Sequence, residues 1–341
     1  MFKKIEIWIL YLVVILFMLL LIGYGSLLKE ELIKGQKTRI AYKVVNFISD
    51  LPSNFSFLIR NWSGIDLSIE NDRHIEKKGF VKYKFKPRNE LLLLSRYDGD
   101  LEKSVIELIE LENFTTLHKW IPNVNEIIKL TTDKKEFEKF KQQKNSKSFR
   151  IFNPSITNNG NIIFQGFSPL VKIDFCSNIL WVNNKDIFHH SIEKDFDGNF
   201  WIPTQNYPSN LTKYFDGVDI DTFTDDAITQ VSTENKILYN KSVSEILFEH
   251  NLQNLIVGKL NTFSNDPIHL NDIEPVLEDG PFWKKGDVFL SLRHQSIIIL
   301  FRPKLNKIIN IISGPFFQQH DVDILNKNEI SIFNNNTMWT P

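Results

Sequence analysis

His190-Ser191-Ile192-Glu193-Lys194-Asp195-Phe196-Asp197-Gly198-Asn199-Phe200-Trp201-Ile202 is the stretch whose reading decides the fold. A histidine opens it, Asp197-Gly198-Asn199 turns it, and Phe200-Trp201-Ile202 continues it as an apolar strand. Two later segments follow the same plan. His269-Leu270-Asn271 leads through Lys285-Gly286-Asp287 into Val288-Phe289-Leu290, and His320-Asp321-Val322 leads through Asn326-Lys327-Asn328 into Glu329-Ile330-Ser331-Ile332. A repeat tens of residues long, made of short strands and turn signals, predicts an all-β chain folded as a β-propeller. Equivalent positions of propeller blades face one central channel. Residues His190, His269 and His320 are therefore expected to converge although they lie far apart in sequence.

Outward from these segments, the hairpin pattern continues in both directions. Leu91–Ser95 and Ser104–Leu111 read as paired strands around Tyr97-Asp98-Gly99-Asp100, and Thr116–Trp120 as a third strand. Asn158-Asn159-Gly160 marks a turn before Ile162–Gln165 and Leu170–Phe175. Ala227–Val231, Ile237–Asn240 and Lys307–Ile312 add further strands, while Ser242–His250 reads as a helix inserted between blades. Asp133–Arg150 reads as a charged surface insertion. The pattern amounts to roughly four and a half blade-like units, whereas a propeller usually closes on about four to eight whole blades. The unit that starts at His320 is expected to hold only its first strand.

The N-terminus is of another kind. Lys3 and Lys4 precede an apolar run, Ile7 to Gly25, of about the length that spans a bilayer, roughly 20 residues. No small-x-small cleavage site follows, so the run is read as an uncleaved signal anchor. Leu28, Leu32, Ile40, Val44 and Ile48 recur at helical spacing up to Pro52. The domains expected are a transmembrane anchor over 1–25, a membrane-proximal helix and linker over 26–88, and a propeller over 89–341. The anchor places that domain on the periplasmic or other extracytoplasmic side.

Composition narrows the partners. Lys+Arg 40 against Asp+Glu 41 leaves a net charge of -1, so no field of either sign favours nucleic acid. The 28 Phe and 7 Trp suit sheets that pack face to face. Cys176 is the sole cysteine and can form no internal disulfide. Gly-rich phosphate loops, a serine nucleophile elbow and CxxC motifs are absent from the sequence, and no organic cofactor is expected.

The candidate site is His189, His190, His269, Arg293, His294 and His320. Neutral histidine can act as nucleophile, base or metal ligand, and Arg supplies a planar fork that matches sulfate or phosphate. A metal would not choose a guanidinium in its first shell, so Arg293 tilts the set towards an oxyanion and no metal is assigned. Asp272, Asp321 and Asp323 keep a metal-dependent hydrolase open as an alternative, and a non-catalytic propeller binding a ligand or partner at the cell surface is another. Asp195-Phe196-Asp197-Gly198-Asn199 lacks the spacing of a calcium loop and reads as a hairpin turn.

Phe188-His189-His190-Ser191-Ile192, Pro267-Ile268-His269-Leu270-Asn271-Asp272, Ser291-Leu292-Arg293-His294-Gln295-Ser296 and Gly314-Pro315-Phe316-Phe317-Gln318-Gln319-His320-Asp321 resemble the bacterial arylsulfate sulfotransferase family over roughly Phe149 to Asn336. The resemblance implies an exported six-bladed propeller, here truncated at its C-terminus. It implies sulfuryl transfer from an aryl sulfate donor to a phenolic acceptor without a nucleotide sulfate. By motif, His320 is the nucleophile that becomes sulfohistidine, His269 and Arg293 hold sulfate oxygens, and His190 assists as a binding or acid/base group. His190 is preferred to His189 because it aligns with His269 and His320. The resemblance leaves room for a homodimer.

Overall fold

The computed structural model of the chain describes residues 6–34, 90–131 and 149–336, apart from 167, 208, 210, 212–213, 215–222 and 258–264, with side chains in the first stretch for residues 6–25. The chain divides into two compact units, Met1–Lys78 and Gly79–Pro341. Most of the linker read over 26–88, the continuation of its helix towards residue 50 and nearly all of the insertion 133–150 lie outside the described residues.

Among the described residues of the first unit, a helix, α1, covers Ile7–Lys34. Its apolar part, Ile7–Gly25, has 19 residues and is long and apolar enough to cross a membrane.

The described residues of the second unit are mostly β-sheet, in five antiparallel sheets. The first holds β1 (Leu91–Asp98), β2 (Lys103–Glu110) and β3 (Thr115–Trp120), and a short helix, α2 (Val124–Leu130), follows. The second runs in order through β4 (Phe152–Ile156), β5 (Ile162–Gln165), β6 (Leu170–Ile173) and β7 (Ile179–Asn183). In the third, β10 (Phe200–Asn206) pairs on one side with β11 (Asp225–Val231), which pairs in turn with β12 (Ile237–Ser242). On the other side of β10 lie two short pieces, β8 (Ile187–Phe188) and β9 (Glu193–Lys194). The helix α3 (Val243–Glu249) follows, capped by the Ser242 hydroxyl accepting from the Glu245 amide. The fourth sheet is β13 (Leu270–Pro275), β14 (Val288–Leu292), β15 (Ile297–Arg302) and β16 (Lys307–Ile312).

The fifth sheet corrects the expectation for the segment led by His320. It holds two strands, β17 (Asp321–Asn326) and β18 (Glu329–Phe333), rather than one. Asn326-Lys327-Asn328 turns between them, so Asp321-Val322-Asp323-Ile324, with its alternating charge, is itself a strand.

Four apolar cores join the sheets in chain order. Ile106, Trp120 and Ile127 meet Ile162, Phe164 and Val171 between the first and second. Ile163 and Leu170 meet Phe188, Phe200 and Ile202 between the second and third. Trp201, Ile228 and Leu247 meet Leu270, Leu290 and Phe301 between the third and fourth. Phe289, Ile298 and Leu300 meet Val322, Ile324 and Ile332 between the fourth and fifth. Alternation along each strand sends one face to the preceding sheet and one to the next, which is how large aromatic and β-branched residues come to fill both sides.

The hairpins are closed by their own side chains. The Asp195 carboxylate accepts from the amides of Asp197 (2.9 Å) and Asn199 (3.0 Å) and from Gln230 Nε2 (2.5 Å), and Gly198 takes φ +81°. Asp174 does the same for Cys176 and Asn178, and Ser232 for Glu234 and Lys236. The Asp195 loop is thus a turn whose carboxylate is already engaged.

Candidate active site

The site residues sit where the ladders break. Between β8 and β9 the pairing with β10 lapses over residues 189–192, and between Leu270 and Asp272 the β13 register slips. His190 and His269 both take left-handed backbone, with φ 60° and 52°. Such backbone costs about 1–3 kcal/mol per residue and persists only where its surroundings hold it. Here they do. The His190 carbonyl accepts from Gln165 Nε2 (2.6 Å) and Asn153 Nδ2 (2.9 Å), and the His269 carbonyl accepts from the Arg293 amide (3.2 Å). Irregularities of this kind re-aim a side chain out of the alternation of its strand.

The three histidines meet. The ring centre of His190 lies 5.2 Å from that of His269 and 5.4 Å from that of His320. All three, with Arg293, are half-buried. His320 is fixed through its neighbours. Its amide donates to the Phe333 carbonyl at 2.8 Å, and Gln319, fully buried, donates to Ser291, Leu292 and Ile297. Arg293 donates through Nη2 to Gln318 Oε1 (3.4 Å) and through Nη1 to His294 Nε2 (3.0 Å). The guanidinium is thereby tied to the segment that carries His320. Its Nε is buried and makes no hydrogen bond.

Electrostatics keep His190 and His320 neutral. Burial, then the Arg293 charge and His269, hold His320 below the ordinary histidine range. Burial, then His189, His269, His320 and Arg293, press His190 far lower still. A neutral imidazole keeps its lone pair, which is what a nitrogen nucleophile needs.

The other two histidines are placed differently. His189 is buried with its Nε2 3.3 Å from Asp226 Oδ1. His294 spans Arg293 and the Asp266 carbonyl, to which its Nδ1 donates at 2.7 Å. Asp266, His269 and His294 bring one ligand atom each to within 4.8 Å of one another. Their donor atoms are committed, however, since His269 Nδ1 pairs with Asp266 Oδ2 at 2.6 Å and both His294 nitrogens are engaged.

Sequence reading singled out Asp272, Asp321 and Asp323 as candidate metal ligands but missed Glu193 and Glu274, which complete a carboxylate ladder beside the histidines. Glu193 on β9, Asp272 and Glu274 on β13, and Asp321 and Asp323 on β17 interact across adjoining strands. Asp272 accepts from the Val322 amide (3.1 Å) and Glu274 from that of Ile324 (3.4 Å). Burial, then Asp272, Glu274, Asp321 and Asp323, push Glu193 up to about 9. Burial, then Asp323 and Asp321, raise Glu274 to about 7, and burial with Asp321 lifts Asp272 well above its usual value. The legible signal was the spacing of two at 272/274 and 321/323, which puts both carboxylates on one face of a strand.

Groups raised in this way retain protons that the unfolded chain gives up. Stability is therefore complete below the ordinary glutamate range, about 4.5, and declines as pH climbs through about 7 and about 9. Thermal denaturation should show a melting temperature lower by about 5 °C at about pH 9 than at about pH 6, and Glu193→Gln should flatten that slope. A slope unchanged in the variant would rule the ladder out as its source.

Together, antiparallel sheets packed in chain order and three imidazoles gathered beside a guanidinium define a β-sheet protein with a half-buried histidine–arginine cluster. A family model described as Arylsulfotransferase (ASST) matches residues 151–340, more than half of the chain, and the chain belongs to that family. No curated protein matches. Among solved structures, a protein of unknown function from Bacteroides caccae is 11% identical with a TM-score of 0.39, and the match covers 66% of this chain and 60% of that one. Virginiamycin B lyase from Staphylococcus aureus is 9% identical with a TM-score of 0.35, covering 74% of this chain and 72% of that one. The chain thus spans three-fifths of the first of these.

Proposed function

We propose that the chain is a membrane-anchored aryl-sulfate sulfotransferase that moves a sulfuryl group from an aryl sulfate to a phenol through a sulfohistidine at His320. The observation that carries this reading is the meeting of the His190, His269 and His320 rings next to Arg293. The family points to the chemistry, and the geometry supports a role for each residue.

A lone pair of the neutral His320 imidazole attacks sulfur. The nitrogen–sulfur bond forms as the bond from sulfur to the aryl oxygen breaks, and the phenolate leaves. Charge on the sulfuryl oxygens is offset by Arg293 and His269, already fixed by the bonds described above. His190 lines the same space as a binding or acid/base group. An acceptor phenol then gives up its proton and takes the sulfuryl group, restoring His320 in a ping-pong cycle.

We assign the sheets of 89–341 as blades of a propeller, because each packs on the next in chain order through its own core. Residues 1–25 serve as the anchor, 26–88 as the linker, and the sheets lie on the periplasmic side.

Incubation with an aryl sulfate, quenching and mass spectrometry should find an acid-labile sulfuryl group on the peptide containing His320. The activity should sediment with membranes, and a chain lacking residues 1–25 should release it. An unmodified His320 under conditions where phenol is released would overturn the mechanism.

A further inference from the structure

Asp266 lies three residues before His269 and holds two histidines at once. Its Oδ2 pairs with His269 Nδ1 at 2.6 Å and its Oδ1 accepts from the His269 amide at 3.2 Å. Its carbonyl accepts from His294 Nδ1 at 2.7 Å. These bonds decide the tautomers. With its Nδ1 proton committed to Asp266, His269 turns its Nε2 edge away from the carboxylate. With its Nδ1 proton on the Asp266 carbonyl, His294 has a lone pair on Nε2, and that lone pair accepts from Arg293 Nη1 at 3.0 Å.

Two further bonds lock the loop to the turn after β14. The His294 amide donates to the Ile268 carbonyl (3.1 Å), and Gln295 Nε2 donates to that of Pro267 (2.6 Å). Burial raises the Asp266 carboxyl, but the His269 hydrogen bond and the nearness of the two imidazoles outweigh it, so the group lies below its ordinary range and is ionised. A carboxylate against Nδ1 orients an imidazole and stabilises its protonated form.

We propose that Asp266 is the positioning residue of an Asp266–His269 pair that handles the phenolic proton, and that through His294 it also aims Arg293. This rests on the sulfotransfer reading above. In this step His269 enters as the imidazolium, with Nδ1–H on Asp266 and Nε2–H towards the donor; as the sulfur–oxygen bond breaks and sulfur bonds to His320, the Nε2 proton passes to the departing oxygen and His269 is left as the neutral Nδ1–H form. In the second half-reaction the acceptor phenol returns a proton to His269 Nε2 as its oxygen takes the sulfuryl group. One proton leaves and one returns, and no other reactant is needed.

The step predicts a dependence on the leaving group. A nitrophenolate departs without help, whereas an unsubstituted phenolate needs the proton. General acid catalysis contributes roughly 10²–10⁴-fold where it is needed. In Asp266→Asn, sulfohistidine formation from nitrophenyl sulfate should stay within about threefold of wild type, while that from phenyl sulfate falls by at least about 10²-fold. His269→Gln should lose activity on both esters, because His269 also faces the sulfuryl oxygens, and adding Asp266→Asn to it should cost little more on phenyl sulfate. Melting temperatures of the variants separate a folding defect from the effect. Equal losses with both esters in Asp266→Asn, or none, would overturn the pair while leaving the sulfotransfer reading intact. A wild-type chain that forms no sulfohistidine from either ester would overturn both.

Discussion

Replacing His320 with alanine should abolish both half-reactions, with phenol release and transfer each falling by on the order of 10⁴–10⁶-fold, as when other covalent nucleophiles are removed. The proposed cycle uses no second nucleophile. His190 lies in the same space, but its backbone belongs to a different strand edge, where its carbonyl accepts from Gln165 and Asn153. Folding should survive, because His320 is half-buried and the bond that fixes its backbone runs from its amide to the Phe333 carbonyl, which alanine retains. Added imidazole should restore phenol release in His320→Ala, the free base taking the sulfuryl group itself. In the wild type, burial and Arg293 keep His320 neutral below the ordinary histidine range. Donor cleavage should therefore persist through mildly acidic pH and fall only when the imidazole is at last protonated. Stopped-flow measurement of phenol release across pH would check this. A fall centred at or above the ordinary histidine value, about 6.5, would contradict the electrostatic account.

Arg293→Ala should slow both half-reactions by about 10²–10³-fold, the usual loss for a preorganised donor to developing negative charge. The loss should fall on kcat more than on KM, since the charge on the sulfuryl oxygens grows as the aryl oxygen departs. Three features make Arg293 such a donor. His294 and Gln318 hold its two terminal nitrogens, its Nε is buried without an acceptor, and its segment is clamped to His269. A buried donor left without an acceptor costs free energy, and a sulfuryl oxygen would relieve it. Arg293→Lys should restore activity only in part, because an ammonium carries the charge without the fork. Full activity in Arg293→Lys would show that charge alone matters. Steady-state kinetics with one aryl sulfate and a saturating phenol would decide it.

Much of this protein is legible in its sequence, for a local reason. Turn chemistry at Asn158-Asn159-Gly160 and Asp195-Phe196-Asp197-Gly198-Asn199, with alternation in the strands around it, predicts hairpins that need no distant partner to be recognised. Ser242 ahead of an apolar helical stripe announces its helix in the same way. Residues Ile7–Gly25 are legible, by length and composition alone, as a helix long and apolar enough to cross a membrane. His190, His269, Arg293 and His320 could be singled out because their chemistry is rare and their spacing repeats.

What the sequence could not supply is whatever depends on two distant segments meeting. The break in the β10 pairing at 189–192 and the left-handed backbone at His190 and His269 exist because Gln165, Asn153 and Arg293 reach across to hold them. Nothing in Asp266 alone marks it out, since its role arises when the turn after β14 brings His294 against its carbonyl. Glu193 reads as a solvated residue until β13 and β17 bring four more carboxylates against it and remove its water. The strand Asp321–Asn326 was obscured because its alternating charges look like a loop, while Val322 and Ile324 find their core only on the preceding sheet. Local propensity and pattern write the strands and turns. Desolvation, tautomer and pairing belong to the packed sheets, because each is the effect of one strand's groups on those of another.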